Sequence, residues 1–355
     1  MRKDKFLYNL IVHLLNIISF ERGGIMSIDK TEIKKTISSI EKEVREYIAK
    51  PRQFRFTLDS KNKWLSSQEK RKLRRIVLPN GKIFLLPYDQ AVEHSTYDNL
   101  QNPESIHADY QLRIVKKTHM SGIVLHSGAA SKHLPDFEGI PLVLKVDGKS
   151  DIPQIEPESC PMASVEKALE LDAAAIGTTF YYGSPEQYRI IDRLSMLIEE
   201  AHKVDIPVIV WAYPRGRFVD AKGGRDALCN IAGAVKFAND IGAAVVKANM
   251  PEPFDSTKRQ FYHKTYQELE FNSEDGMKWI VKGCTGYSGL IISGGDKVSD
   301  EQLKQKVSSA MKAEADGLVI GRNVFLRKMD DAVRLVNELM KILDEHSTTD
   351  ESVLC

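Results

Sequence analysis

Between residues 83 and 320 the chain repeats one pattern eight times. A short, nearly uninterrupted run of Val, Ile, Leu and Ala is followed by Gly, Pro or polar residues and then by a stretch with helical spacing. The runs are 83–88, 122–126, 141–146, 173–182, 207–213, 243–248, 289–292 and 317–320. A strand with one solvated face alternates apolar and polar residues, whereas a strand covered on both faces does not. These runs therefore read as strands of a parallel sheet. Between them, Ile190, Ile191, Leu194, Leu197, Ile198 and Ala201 recur at helical spacing within 185–204, and 226–241 and 300–315 behave alike. Eight alternations of strand and helix predict an α/β fold of the (β/α)8 barrel type. A doubly wound sheet competes, but it usually carries a phosphate loop after its first strand. Here the glycine loops come late, after the seventh and eighth runs.

The barrel is predicted over 81–345, behind a helical segment at 26–80 and ahead of a tail at 346–355. In 27–50, Ile33, Ile37, Ile40, Val44 and Ile48 share one helical face, and Pro51 ends it. Residues 1–25 are read as an extension of open status, with a docking helix and a targeting segment as the alternatives. The apolar stretch 6–20 behind Arg2, Lys3 and Lys5 has a signal-peptide layout. However, Asn9, His13 and Asn16 interrupt it, it is short for a membrane span, and no A-x-A site follows. The second and third runs start only about 19 residues apart, which leaves room for a short helix. Residues 251–288 form a long insertion rich in Tyr, Phe and Lys, placed where a lid or an oligomer contact would sit.

Lys and Arg total 50 against 49 Asp and Glu, a net charge of +1, which argues against nucleic-acid binding by bulk electrostatics. The basic cluster Lys70, Arg71, Lys72, Arg74 and Arg75 is read as a solvated helix face. Cys160, Cys229, Cys284 and Cys355 form no C-x-x-C pair. Scattered thiols of this kind point to a reducing, cytoplasmic compartment. His94, His107, His119, His126 and His133 lack metal-ligand spacing, so neither a metal nor a cofactor is expected.

Function in a barrel sits at the C-terminal ends of the strands. Lys247 lies inside the sixth run, where an ammonium is costly unless paired or neutral. A neutral amine there is a Schiff-base nucleophile. The alternative is a lysine reaching out to a carbonyl or carboxylate, and the strand pattern leaves both open, as it does for Lys145. Trp211 and Tyr213 lie two apart, so they face the same way beside the next strand. A phenol there is suited to proton transfer, or to packing. Asp89 ends the first run as a substrate contact or a helix cap. Ser293, Gly294 and Gly295 after the seventh run, with Gly321 and Arg322 after the eighth, suit a phosphate.

Six segments together resemble the archaeal-type class I fructose-bisphosphate aldolases, in particular their longer bacterial members. They are LPYDQAVEHS (86–95), GTTFYYGSPE (177–186), VIVWAYPRG (208–216), VVKANM (245–250), LIISGG (290–295) and GLVIGRNVFLRK (317–328). The resemblance implies that Lys247 is the Schiff-base lysine and Tyr213 the general acid/base, with Trp211 beside it. It implies that Asp89 contacts substrate hydroxyls and that Lys145 is a second active-site lysine. Ser293, Gly294, Gly295, Gly321 and Arg322 would hold a phosphate, with Arg215 close by. The expected reaction is metal-independent, reversible cleavage of fructose 1,6-bisphosphate in glycolysis or gluconeogenesis. The expected partners are a phosphorylated sugar and other copies of the chain, in a ring-based homo-oligomer such as a decamer, with no nucleic acid and no membrane. Two alternatives are a related Schiff-base enzyme acting on another phosphorylated ketose and a non-catalytic sugar-phosphate-binding barrel.

Overall fold

The computed structural model describes residues 58–150, 156–284 and 287–347. The readings made for 1–25 and for the helix at 27–50 fall outside the described residues, as does most of the tail. Eight parallel strands close a barrel: β1 (Ile83–Pro87), β2 (Gly122–His126), β3 (Leu142–Lys145), β6 (Ala175–Tyr182), β7 (Val208–Pro214), β8 (Val245–Ala248), β9 (Gly289–Ser293) and β10 (Gly317–Val319). The strands follow one another around the ring in chain order, and β10 pairs with β1 to close it. Between β3 and β6, β4 (Asp147–Gly148) and β5 (Cys160–Pro161) form a small antiparallel pair. Every barrel strand matches an apolar run of the sequence to within about two residues, so the barrel stands and the doubly wound sheet does not.

The continuous runs are explained by two cores of opposite parity. Ile83, Leu85, Val124, Val143, Ile209, Val245, Ile291 and Val319 fill the barrel interior. Their neighbours Phe84, Leu86, Leu144, Val208, Val210, Val246 and Leu290 pack outward against the helices. Successive strand residues point to opposite faces, and here both faces are buried. Parity then sets the functional side chains. Lys247 shares its face with Val245, Lys145 with Val143, Trp211 with Ile209, and Ser293 with Ile291.

Helices follow the strands: α2 (Ala108–Thr118), α3 (Ser127–His133), α4 (Val165–Glu170), α5 (Gln187–Lys203), α6 (Leu228–Asp240), α7 (Ser273–Cys284), α8 (Asp300–Lys312) and α9 (Met329–Asp344). The short helix expected after β2 is α3. Within 251–288, α7 packs on α6 as the helix following β8, and a 3-10 segment at Ser256–Phe261 and one helical turn at Lys264–Gln267 precede it.

The stretch before β1 holds α1 (Ser67–Arg74), opened by a capping box between Ser66 and Glu69. Leu58, Leu65, Leu73 and Ile76 join the interior core. Lys61 and Asp316 form a buried ion pair at 2.5 Å. The basic cluster is only partly the solvated face expected. Arg71, Arg74 and Arg75 are exposed. Yet Arg75 makes a bidentate pair with Asp172 at 2.9 and 2.8 Å, and Lys72 donates to the Asp205 carbonyl at 3.0 Å. These charges tie the segment to the loops that enter β6 and β7.

Candidate active site

Strand parity and register bring the predicted residues to one mouth. Trp211 on β7 pairs directly with Lys247 on β8. The Lys247 ammonium lies 4.6 Å from the Trp211 ring centroid and 5.5 Å from that of Tyr213. Lys247 is 5% exposed, so the amine sits at the floor of the mouth, walled by two aromatic faces. The indole can lie there because residue 177 on β6 has no side chain: a Cβ at Gly177 would stand 2.6 Å from the Trp211 ring. Trp211 Nε1 is buried and has no partner among the described residues.

The mouth opens into a cavity of about 1380 Å³. Asp89, Trp211, Tyr213, Arg215, Lys247, Ser293, Gly294, Gly295, Gly321 and Arg322 all line it. Lys145 does not. It is fully buried beneath, its ammonium 5.8 Å from the other residues' shared indole, Trp211, and ion-paired with Asp147. Asp147 also accepts from Thr178 Oγ1 at 3.0 Å and from the Thr179 N–H at 2.8 Å. Burial opposes the Lys145 charge, but Asp147, Glu93 and Asp89 outweigh it and hold its pKa above the ordinary lysine value. Such an amine stays a cation and is a poor nucleophile. Lys247 and Lys145, alike in the strand pattern, thus differ in accessibility and in a fixed counter-ion.

Glu93 went unassigned in the sequence, although it stands four residues after Asp89. It lines the cavity half-buried. Burial raises its carboxyl pKa, Lys145 and Lys247 oppose, and Asp89 and Asp147 add to the rise. A carboxyl placed among two amines and two carboxylates is suited to holding or passing a proton. Tyr181 on β6 also lines the cavity, and burial pushes its phenol well above the ordinary value. Of the histidines, His126 is buried, with Nδ1 3.1 Å from the Lys145 carbonyl, and burial lowers its pKa. Among the described residues, no three His, Cys, Asp or Glu side chains converge as a metal site.

The loops after β9 and β10 form the anion end. Gly295 has φ +73, a conformation that favours glycine. The Gly294 N–H donates to the Val319 carbonyl at 3.0 Å, which ties the loop after β9 to the end of β10. Asn323 braces them, donating to the Asp296 carbonyl at 3.1 Å and accepting from the Val298 N–H at 3.1 Å. Ser293 Oγ donates to Asn249 at 2.5 Å, and Asn249 donates to Asp226 at 2.7 Å. Asp296 receives Arg322 at 3.1 Å on one oxygen and Arg225 at 3.2 Å on the other. Asn249, Asp226, Arg225 and Asp296 were not read from the sequence. Only Asn249 left a signal: it stands two residues after Lys247, on the same face. Elsewhere the cavity is lined by Lys149, Arg189, Arg215 and Arg217. The Arg215 guanidinium covers the Tyr213 ring at 5.1 Å.

Comparison with known proteins places residues 83–327 on a family model described as DeoC/LacD family aldolase. The chain is 31% identical to the class 1 fructose-bisphosphate aldolase of Thermoproteus tenax over 77% of this chain and 93% of that one. It is 26% identical to a Methanocaldococcus jannaschii protein named fructose-bisphosphate aldolase/6-deoxy-5-ketofructose 1-phosphate synthase, over 77% and 85% of the two chains. A solved structure of an archaeal fructose-1,6-bisphosphate aldolase, with its catalytic lysine covalently bound to the carbinolamine intermediate, superposes with a TM-score of 0.67. It is 29% identical and covers 78% of this chain and 99% of its own.

Proposed function

From the premise that the chain belongs to the DeoC/LacD family of aldolases, we propose that it is a class I, Schiff-base fructose-bisphosphate aldolase. It cleaves fructose 1,6-bisphosphate reversibly to dihydroxyacetone phosphate and glyceraldehyde 3-phosphate. The observation that carries this reading is the accessible Lys247 amine at the cavity floor, 4.6 Å from Trp211 and 5.5 Å from Tyr213.

In the proposed reaction the Lys247 amine adds to the C2 ketone, and loss of water gives an iminium. The iminium accepts the electron pair released when the C3–C4 bond breaks. Tyr213 takes the C4 hydroxyl proton, and the aldehyde leaves. The same phenol then protonates the enamine at C3, and water releases the ketone and frees Lys247. Asp89 orients the substrate hydroxyls. Lys145, locked to Asp147, contributes positive charge beneath the site rather than a nucleophile. The Ser293–Gly295 and Gly321–Arg322 loops hold one phosphate, and Lys149 and Arg215 supply cations elsewhere in the cavity for the other. Binding both ends converts phosphate affinity into alignment of the carbonyl over Lys247.

Borohydride trapping with dihydroxyacetone phosphate in EDTA, followed by peptide mapping, tests this reading. An adduct on Lys247 supports it; an adduct on Lys145 keeps the chemistry and overturns the assignment. No adduct, with phosphate ligands still bound, favours a non-catalytic barrel. The double name of the Methanocaldococcus jannaschii relative makes other phosphorylated ketoses the second reading, which a substrate panel separates. The proposal extends to a homo-oligomer, testable by sedimentation. It extends also to a cytoplasmic location, in keeping with the free thiols of Cys160, Cys229 and Cys284. No helix among the described residues is long and apolar enough to cross a membrane.

A further inference from the structure

We propose that Lys306, on the helix that follows β9, is a phosphate-binding residue of this site. The inference rests on the sugar-phosphate reading above and adds to it a cation from outside the strand-end loops. Lys306 lines the cavity, half-buried, and its amine donates to the Gly294 carbonyl at 3.2 Å. The approach is close: a Cβ at Gly295 would stand 3.0 Å from Lys306 Nζ.

Lys306 makes no ion pair among the described residues. Two carboxylates act on it through space without contact, Asp226 from the loop after β7 and Asp296 from the loop after β9. Both are already engaged. Asp226 binds Asn249 and Arg225, and Asp296 bridges Arg225 and Arg322. A partly buried ammonium whose only direct partner is a neutral carbonyl is costly to keep charged. Burial does lower its pKa, against the opposing pull of Asp226 and Asp296. A phosphate held by the Ser293–Gly295 and Gly321–Arg322 loops supplies the missing counter-ion next to the amine.

Inorganic phosphate is the probe, titrated against the full chain by calorimetry, together with fructose 1,6-bisphosphate cleavage kinetics. Lys306→Met is expected to weaken phosphate binding about tenfold or more, as for loss of a charge-assisted contact. It should raise KM for the bisphosphate more than it lowers kcat. The pH dependence separates a bound cation from a mere peptide brace. Wild-type phosphate affinity should fall as pH rises through the lowered Lys306 pKa. Lys306→Arg keeps its charge throughout and should lessen that fall relative to wild type measured in parallel, because a guanidinium stays protonated. Phosphate binding by Lys306→Met as tight as wild type overturns the proposal, as does an undiminished pH fall in Lys306→Arg. A wild-type protein that binds no phosphate sinks the sugar-phosphate reading itself, and the proposal with it.

Discussion

Trp211 and Lys247 stand opposite each other in the β7–β8 register, and the indole that flanks the Lys247 amine occupies the space left by the missing side chain of Gly177. The wall of the candidate nucleophile is thus set from the strand on the other side of Trp211. Gly177→Ala puts a methyl 2.6 Å from the ring. The indole must move, and overpacking of this kind costs about 1–3 kcal/mol. We expect kcat for bisphosphate cleavage to fall about 10- to 100-fold from misplacement at the reacting centre. Steady-state kinetics beside a thermal melt checks this, and unchanged kcat would sink the link.

Tyr213 is assigned proton transfer and Lys247 covalent chemistry, so the two should separate. Tyr213→Phe keeps the ring beside the amine and removes the hydroxyl. Turnover should fall by about 10² to 10⁴, the usual share of a general acid/base. Borohydride should still trap dihydroxyacetone phosphate on Lys247. Retained cleavage would transfer the acid/base role to another cavity group, with Glu93 the first to examine.

The Lys61–Asp316 pair lies among the residues that close the interior core below the strands, and Asp316 also accepts the Leu290 N–H at 2.7 Å. Lys61→Met strands a buried carboxylate, which costs about 3–5 kcal/mol. Urea unfolding should show that loss, and adding Asp316→Asn should recover part of it. KM for the substrate should not follow the stability change, since neither residue lines the cavity.

Glu69 on α1 binds His202 on α5, and Trp64 packs edge-on against the imidazole at 5.3 Å between ring centroids. The hydrogen bond to Glu69, opposed by burial, raises the His202 pKa. A raised folded-state pKa stabilises at pH values below the unfolded one of about 6.5 and loses that stability as pH rises through the folded value. His202→Gln should therefore lower the melting temperature most near about pH 6, by the equivalent of about 1 kcal/mol. The gap from wild type should narrow by about pH 9. A gap independent of pH would assign His202 a packing role only.

Much of this was legible because it is local. Each strand declares itself by an apolar run, and the residue closing the run is the one the barrel presents at its mouth. The two-residue spacing of Trp211 and Tyr213 fixed their shared face before any fold was known. What stayed hidden joins residues distant in sequence. Lys306 reads as one more polar position on an amphipathic helix, indistinguishable by spacing from Lys304 or Lys312. Asp226, Arg225 and Asp296 come from loops after different strands. Glu93 and Asn249 sit within sight of recognised motifs, yet carry no spacing that assigns them chemistry.

By itself the sequence determined the (β/α)8 class, the places of the eight strands and the residues gathered at their C-terminal ends, because strand burial on two faces and period-two parity are written along the chain. Only the tertiary structure decided that Lys247 is reachable while Lys145 is locked to Asp147, that Lys61 and the helix at 67–74 belong to the barrel's closure, and that Lys306 reaches the Gly294 carbonyl. Those outcomes depend on which side chains meet across the closed ring, and no periodicity along one segment encodes a contact with another.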